Sequence, residues 1–135
     1  MRASPGTAFA DGYVAPIDEA SGKPSAEIVI SMNAAGTLSG VIQKSLIVPP
    51  GASSVCDKCM DDRKGKPTQG MEIIRGGKKL DGKDVWEGGK ILDPHDGKEF
   101  SVRFTPIDGG KKMEVRGYIG SPMLGKTQTW VRVDK

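Results

Sequence analysis

With 135 residues, 27% of them charged and 36% hydrophobic, the chain has the size of one domain and can bury a working core without metals or several disulfides. Its net charge of +3 comes from lysines interleaved with acids, which argues against the massed basic face of a nucleic-acid binder, and no run approaches the roughly 20 apolar residues of a membrane-spanning helix. The 19 glycines and 9 prolines are spread as punctuation, the spacing of many short strands joined by turns.

In chain order, residues 1–10 end on Ala8-Phe9-Ala10 ahead of Asp11, an A-x-A pattern like the tail of a secretory signal whose apolar part is absent. The competing reading is a disordered tail. Residues 11–135 are assigned to a single domain. Alternation between turn residues predicts eight strands, at 12–17, 25–32, 37–47, 70–75, 84–92, 98–106, 111–119 and 126–133. No segment shows a helical stripe. Connections such as Asn33-Ala-Ala-Gly36 and Asp93-Pro94-His95-Asp96-Gly97 carry the side chains that hairpin turns require. The one long connection, Pro49 to Pro67, holds Cys56 and Cys59 among Asp57, Lys58, Asp61, Asp62, Arg63 and Lys64, and reads as a polar surface loop or flap.

Apolar parity pairs the last three strands with Phe104 opposite Met113, Val102 opposite Val115, Met113 opposite Val133 and Val115 opposite Val131. The other face then carries Arg103, Glu114, Arg116, Tyr118, Trp130 and Arg132 together, with Glu114 contacting Arg103 and Arg132 across the strands. A one-residue slip would invert every face. Such a face is either a solvated surface or, turned inward, a charged interior suited to an anionic or amphipathic ligand whose head group meets Arg116 or Arg132.

Gly120 to Thr127 matches the phosphate-loop pattern G-x-x-x-x-G-K-[ST], whose mechanism needs a helix to follow. Here Thr127, Thr129, Val131 and Val133 alternate with Gln128, Trp130 and Arg132, so a strand is expected and the match is read as fortuitous. Eight consecutive antiparallel strands leave raw edges unless the sheet closes, which favours an all-β, eight-stranded up-and-down barrel. A β-sandwich is the alternative, weakened by the shortage of long crossovers.

Trp86 to Lys98 (WEGGKILDPHDGK), Val115 to Gly120 (VRGYIG) and Gly125 to Arg132 (GKTQTWVR), with Gly12-Tyr-Val, Gly22-Lys23-Pro24 and the Cys56-Asp-Lys-Cys59 loop, together resemble the bacterial domain-of-unknown-function family 2147 over nearly all of residues 11–133. The resemblance implies an exported protein with a lipocalin-like barrel and brings no catalytic residues. The family commonly opens with Gly-x-Trp. Here Tyr13 stands in that region, so any aromatic lid at the barrel base passes to Tyr13 or is absent.

Cys56 and Cys59 could form a disulfide, a redox pair or half a metal site. The sole histidine, His95, lies in a turn, and neither a helix nor a βαβ pattern accompanies the CxxC, so an oxidised disulfide in the periplasm or outside the cell is the reading adopted. Asp93, His95 and Asp96 are read as turn residues, and no nucleophile or orienting acid accompanies His95. The expectation is therefore a non-enzymatic, cofactor-free and metal-free exported binding protein for a small hydrophobic or amphipathic ligand. Trp86, Arg116, Tyr118, Trp130 and Arg132 are its candidate contacts and the 49–67 loop its lid. The alternative is an envelope protein–protein interaction module with a filled barrel.

Overall fold

The computed structural model describes residues 12–17, 21–46, 51, 53–83, 85–120 and 125–133. The expected tail at 1–10 lies outside these, as does the side chain of Tyr13. Eight strands are formed among the described residues: β1 Gly12–Pro16, β2 Ala26–Met32, β3 Thr37–Ser45, β4 Glu72–Lys79, β5 Trp86–Asp93, β6 Lys98–Ile107, β7 Lys112–Tyr118 and β8 Lys126–Val133. Each pairs antiparallel with the next, and β1 pairs with β8, so the sheet closes into an up-and-down barrel. The sandwich alternative is excluded.

Period-two alternation makes the wall. In β3, Leu38, Gly40 and Ile42 are buried while Thr37, Ser39 and Val41 between them are half-buried, as a sheet with one dry and one wet face requires. The inward side chains Ile28, Ile30, Leu38, Ile74, Trp86, Val102, Phe104, Met113, Val115 and Trp130 form one buried cluster. Each large one contributes about 1.5–3 kcal/mol through the apolar surface it removes from water.

Two strands depart from expectation. β4 continues through Gly76 and Gly77 to Lys79, beyond the expected end at residue 75. Gly76 has φ +90, a conformation open to glycine, and the β3–β4 register shifts beside it between Leu38 and Ser39, the mark of a bulge.

The last hairpin is the larger correction. Met113 faces Trp130, Val115 faces Gln128 and Glu114 faces Thr129, a displacement of three residues from the expected pairing of Met113 with Val133. Three is odd, so Lys126, Gln128, Trp130 and Arg132 turn inward and Thr127, Thr129 and Val131 outward. Phe104 faces Val115 and Thr105 faces Glu114. That displacement is two, so β6 and β7 keep their expected inner faces. The ladder of Arg103, Glu114 and Arg132 does not exist: Glu114 lies between Thr105 and Thr129, and Arg103 pairs with Glu87 of the neighbouring β5.

Lys126–Val133 being a strand, the helix that a phosphate loop feeds is not formed. The β5–β6 turn is held as the sequence suggests: Asp93 accepts the His95 N–H at 2.9 Å, and Asp96 accepts the Lys98 N–H at 2.8 Å.

Candidate binding cavity

The two ends of the barrel are built differently. At the end carrying the β2–β3, β4–β5 and β6–β7 turns, Ile30, Leu38, Trp86, Phe104 and Met113 fill the lumen, all at most 1% exposed. The inward positions at the other end are smaller or polar, and a cavity of about 470 Å³ opens there. Its floor and walls are Ile28, Ile42, Ile73, Phe100, Val115 and Trp130, and its mouth is set with Ser25, Ser45, Thr68, His95, Lys126 and Gln128. Trp130 is held in place on two sides. Its ring meets Phe104 edge-on, with centroids 6.3 Å apart, and its indole N–H donates to Gln128 Oε1 at 3.2 Å. A groove of about 440 Å³ lies outside the wall over Lys112, Thr127, Thr129 and Val131, and shares Lys126 and Gln128 with the mouth.

Of the five contact residues expected from sequence, Trp130 lines this cavity and the other four do not. Trp86 faces Phe104 in the filled end. Arg116 and Tyr118 lie on the outer face of β7, where Arg116 donates to Thr127 Oγ1 at 2.7 Å. Arg132 turns inward toward the filled end, opposite Val14 of β1. The shared face assumed for them depended on the β7–β8 pairing, and the odd displacement divides it. Lys126, Gln128 and Gly117 also line the cavity and carry no distinguishing pattern in the sequence. The usable signal was Trp130: placing the largest apolar side chain of β8 inward fixes the parity and carries Gln128 and Lys126 with it.

Residues 14–132 match the family described as an uncharacterized protein conserved in bacteria, DUF2147. The chain belongs to this family. Among solved structures, a Helicobacter pylori protein, HP1028, described as belonging to the lipocalin family, superposes with a TM-score of 0.75 at 18% identity. The match covers 93% of this chain and 84% of that one. No curated protein matches. At that identity the likeness establishes a lipocalin-like fold.

The β3–β4 connection of this DUF2147 barrel is the polar surface loop expected, with Asp57, Lys58, Asp61, Asp62 and Lys64 exposed, and it is pinned to the barrel by a few buried side chains. Cys56 and Cys59 form a disulfide with Cα atoms 5.5 Å apart. Both are fully buried and join Met71, Ile73 and Leu92 in the barrel's own core cluster. Backbone bonds from Cys56 N to Lys66 O and Gly65 N to Cys56 O, at 2.9 and 2.8 Å, fold the connection on itself. On its other side the Lys58 carbonyl presses on the β5–β6 turn so closely that a Cβ at Gly97 would lie 2.1 Å from its oxygen.

Arginines fasten it further. Arg63, only 4% exposed, pairs with Asp61, donates to Glu99 of β6 at 3.0 Å, and donates to the Glu72 carbonyl of β4 at 2.9 Å. Arg75 of β4 reaches back to Asp62 at 3.0 Å and to Glu72 at 2.7 Å. Hydrogen bonds from the Arg63 side chain and backbone hold Asp61 down at about 2, against 3.8 ordinarily. Burial alone would raise Glu72, yet the bonds from Ser39 and Arg75 outweigh it and leave this carboxyl below its usual value. Through Thr68 the clamped connection reaches the cavity mouth.

Among the described residues no group of three or more His, Cys, Asp or Glu side chains could hold a metal ion, and no helix is long and apolar enough to cross a membrane.

Proposed function

We propose that this protein is an exported, non-enzymatic binding protein that takes one small hydrophobic or amphipathic molecule into the open end of its barrel. The observation that carries the reading is the cavity itself: about 470 Å³ with an apolar floor at Trp130 and polar groups gathered at the mouth, within the roughly 300–1,000 Å³ usual for small-molecule sites. The lipocalin-like fold supports it by analogy. The disulfide supports residence in an oxidising compartment, and the clamped 51–70 connection serves as a fixed shoulder of the entrance rather than a swinging lid.

Native mass spectrometry of protein extracted from its own envelope tests this. The expected result is a non-covalent small-molecule adduct that is lost on denaturation, together with a fluorescence rise when phenylnaphthylamine is added to stripped protein. Bare polypeptide mass and no fluorescence rise would sink the proposal.

The competing reading is a docking module with a filled barrel. It draws support from Met60 and Ile119, which are 92% and 68% exposed on connections at the cavity end. The lumen, however, is filled only at the opposite end, so this reading would require a partner to seal the mouth.

A further inference from the structure

We infer that the cavity takes a small apolar molecule whose one polar end is an uncharged carbonyl, an ester or an amide, received by the side-chain amide of Gln128 above Trp130. This rests on the binding reading above and adds a ligand class to it.

The absence of charge follows from the ionisable groups that border the entrance, Asp93, His95 and Lys126. Lys126 already interacts with another group of the protein. Asp93 is built into the β5–β6 turn, where its side chain accepts the His95 N–H at 2.9 Å and its carbonyl accepts the Gly97 N–H at 2.8 Å. His95 is exposed at the rim, where solvent and salt screen it. Groups of both signs thus flank one opening. An anionic head would give up water to meet the Asp93 carboxylate, and a cationic head would give it up to meet the Lys126 ammonium. An uncharged head loses less water and meets no like charge.

The kind of uncharged head follows from hydrogen-bond directions. An indole N–H can only donate, so the 3.2 Å bond from Trp130 fixes which end of the Gln128 amide faces it, the oxygen Oε1. The NH₂ end, with two donors, is left to the cavity that Gln128 lines. Gln128 stands one inward position above Trp130, roughly 7 Å along the strand, between the apolar floor and the rim. Ser25 and Thr68 spend their hydroxyl hydrogens on backbone carbonyls, Pro16 O and Ser54 O, each at 3.2 Å. Gln128 is therefore the donor next to the floor, and what it needs from a ligand is an acceptor. A carbonyl supplies one without charge, while the apolar body it carries covers Trp130, Phe100 and Val115.

The test is displacement of phenylnaphthylamine at neutral pH by methyl decanoate, decanoate, decylamine and decanol, which share a ten-carbon chain and differ in the head. Methyl decanoate is expected to displace the probe at lower concentration than either ion. Gln128→Glu keeps an acceptor for the Trp130 indole but removes both donors. It should weaken methyl decanoate, whose head only accepts, by about three- to tenfold, the scale of one neutral hydrogen bond, and leave decanol, which can donate to the new carboxylate, as it was. Tighter binding of decanoate or decylamine than of the ester, or an ester affinity unaltered in Gln128→Glu, overturns the head assignment and leaves the cavity reading standing. If Gln128→Glu weakens ester and alcohol alike, Gln128→Met, uncharged and without donors, decides: the ester should weaken there while the probe does not, and an unaltered ester overturns the assignment. Failure of the probe to bind the unmodified protein overturns both readings.

Discussion

The filled and open ends of this barrel share the same eight strands and the same alternation, yet they differ in what the inward positions carry. Along β8 the inward sequence runs Lys126, Gln128, Trp130, and along β7 it runs Gly117, Val115, Met113. Apolarity therefore rises from the mouth as far as Trp130 and Met113, with Arg132 the exception beyond them at the filled end. Stability is concentrated in the buried cluster that includes Trp86, Phe104 and Leu38, and the proposed binding falls to the end where packing stops short.

The contrast would be broken most decisively at Trp86. Trp86→Ala in the filled end is expected to cost about 3–5 kcal/mol, the range for truncating a buried large aromatic, read as a large fall in melting temperature. If that variant melts normally, the filled end is not what sustains the fold. Next in size is Gly97→Ala, which sets a methyl group against the Lys58 carbonyl at a position with φ +74. A loss of about 1–3 kcal/mol is expected from the forced backbone, with faster hydrogen exchange confined to residues 55–67. Protection unchanged there would mean that the connection is not seated on the β5–β6 turn.

Acid should loosen the same clamp by a smaller amount. Because Asp61 is held at about 2 when folded against 3.8 ordinarily, its contribution is complete above about pH 4 and is lost as the pH falls through 2. Its side chain is 41% exposed, so solvent screening limits the effect to a few tenths to about 1 kcal/mol. Asp61→Asn should flatten that part of the pH–stability curve, and an unaltered curve would remove Asp61 from the clamp. Smallest of all is Arg116→Ala on the outer wall, expected to change stability by no more than about 0.5 kcal/mol and probe binding not at all. A loss of probe binding would show that recognition extends outside the lumen.

The architecture was legible in the residues because alternation and turn chemistry agree at nearly every connection. Asn33 accepting from the Ala35 and Thr37 N–H groups, and Asp93 accepting from His95, are the local contacts that their sequences announce. The site was less legible. Thr127, Thr129 and Val131 are β-branched, and such side chains suit a pleated surface whether dry or wet, so their alternation could not say which side of β8 faced inward. An Arg-rich face paired through Glu114 satisfied charge and parity together but was displaced by three residues from the actual hairpin. In the 49–67 connection the exposed polar residues were legible and the buried anchors were not. Its charged residues are conspicuous in the sequence, whereas the burial of Cys56 and Cys59 goes with Arg63 contacts to β4 and β6 that lie 9 and 36 residues distant in the chain.

Because β1 bonds to β8, the first strand made waits for the last. Until Lys126–Val133 has left the ribosome, a growing chain carries two unsatisfied rows of peptide groups, at β1 and at whichever strand was synthesised most recently. Such rows invite pairing with other chains, and the contact that removes them spans nearly the whole sequence, the kind of closure that folds slowly. A truncation that spares every cavity residue through Trp130 but trims the end of β8 should therefore first appear as precipitation during synthesis rather than as weakened binding.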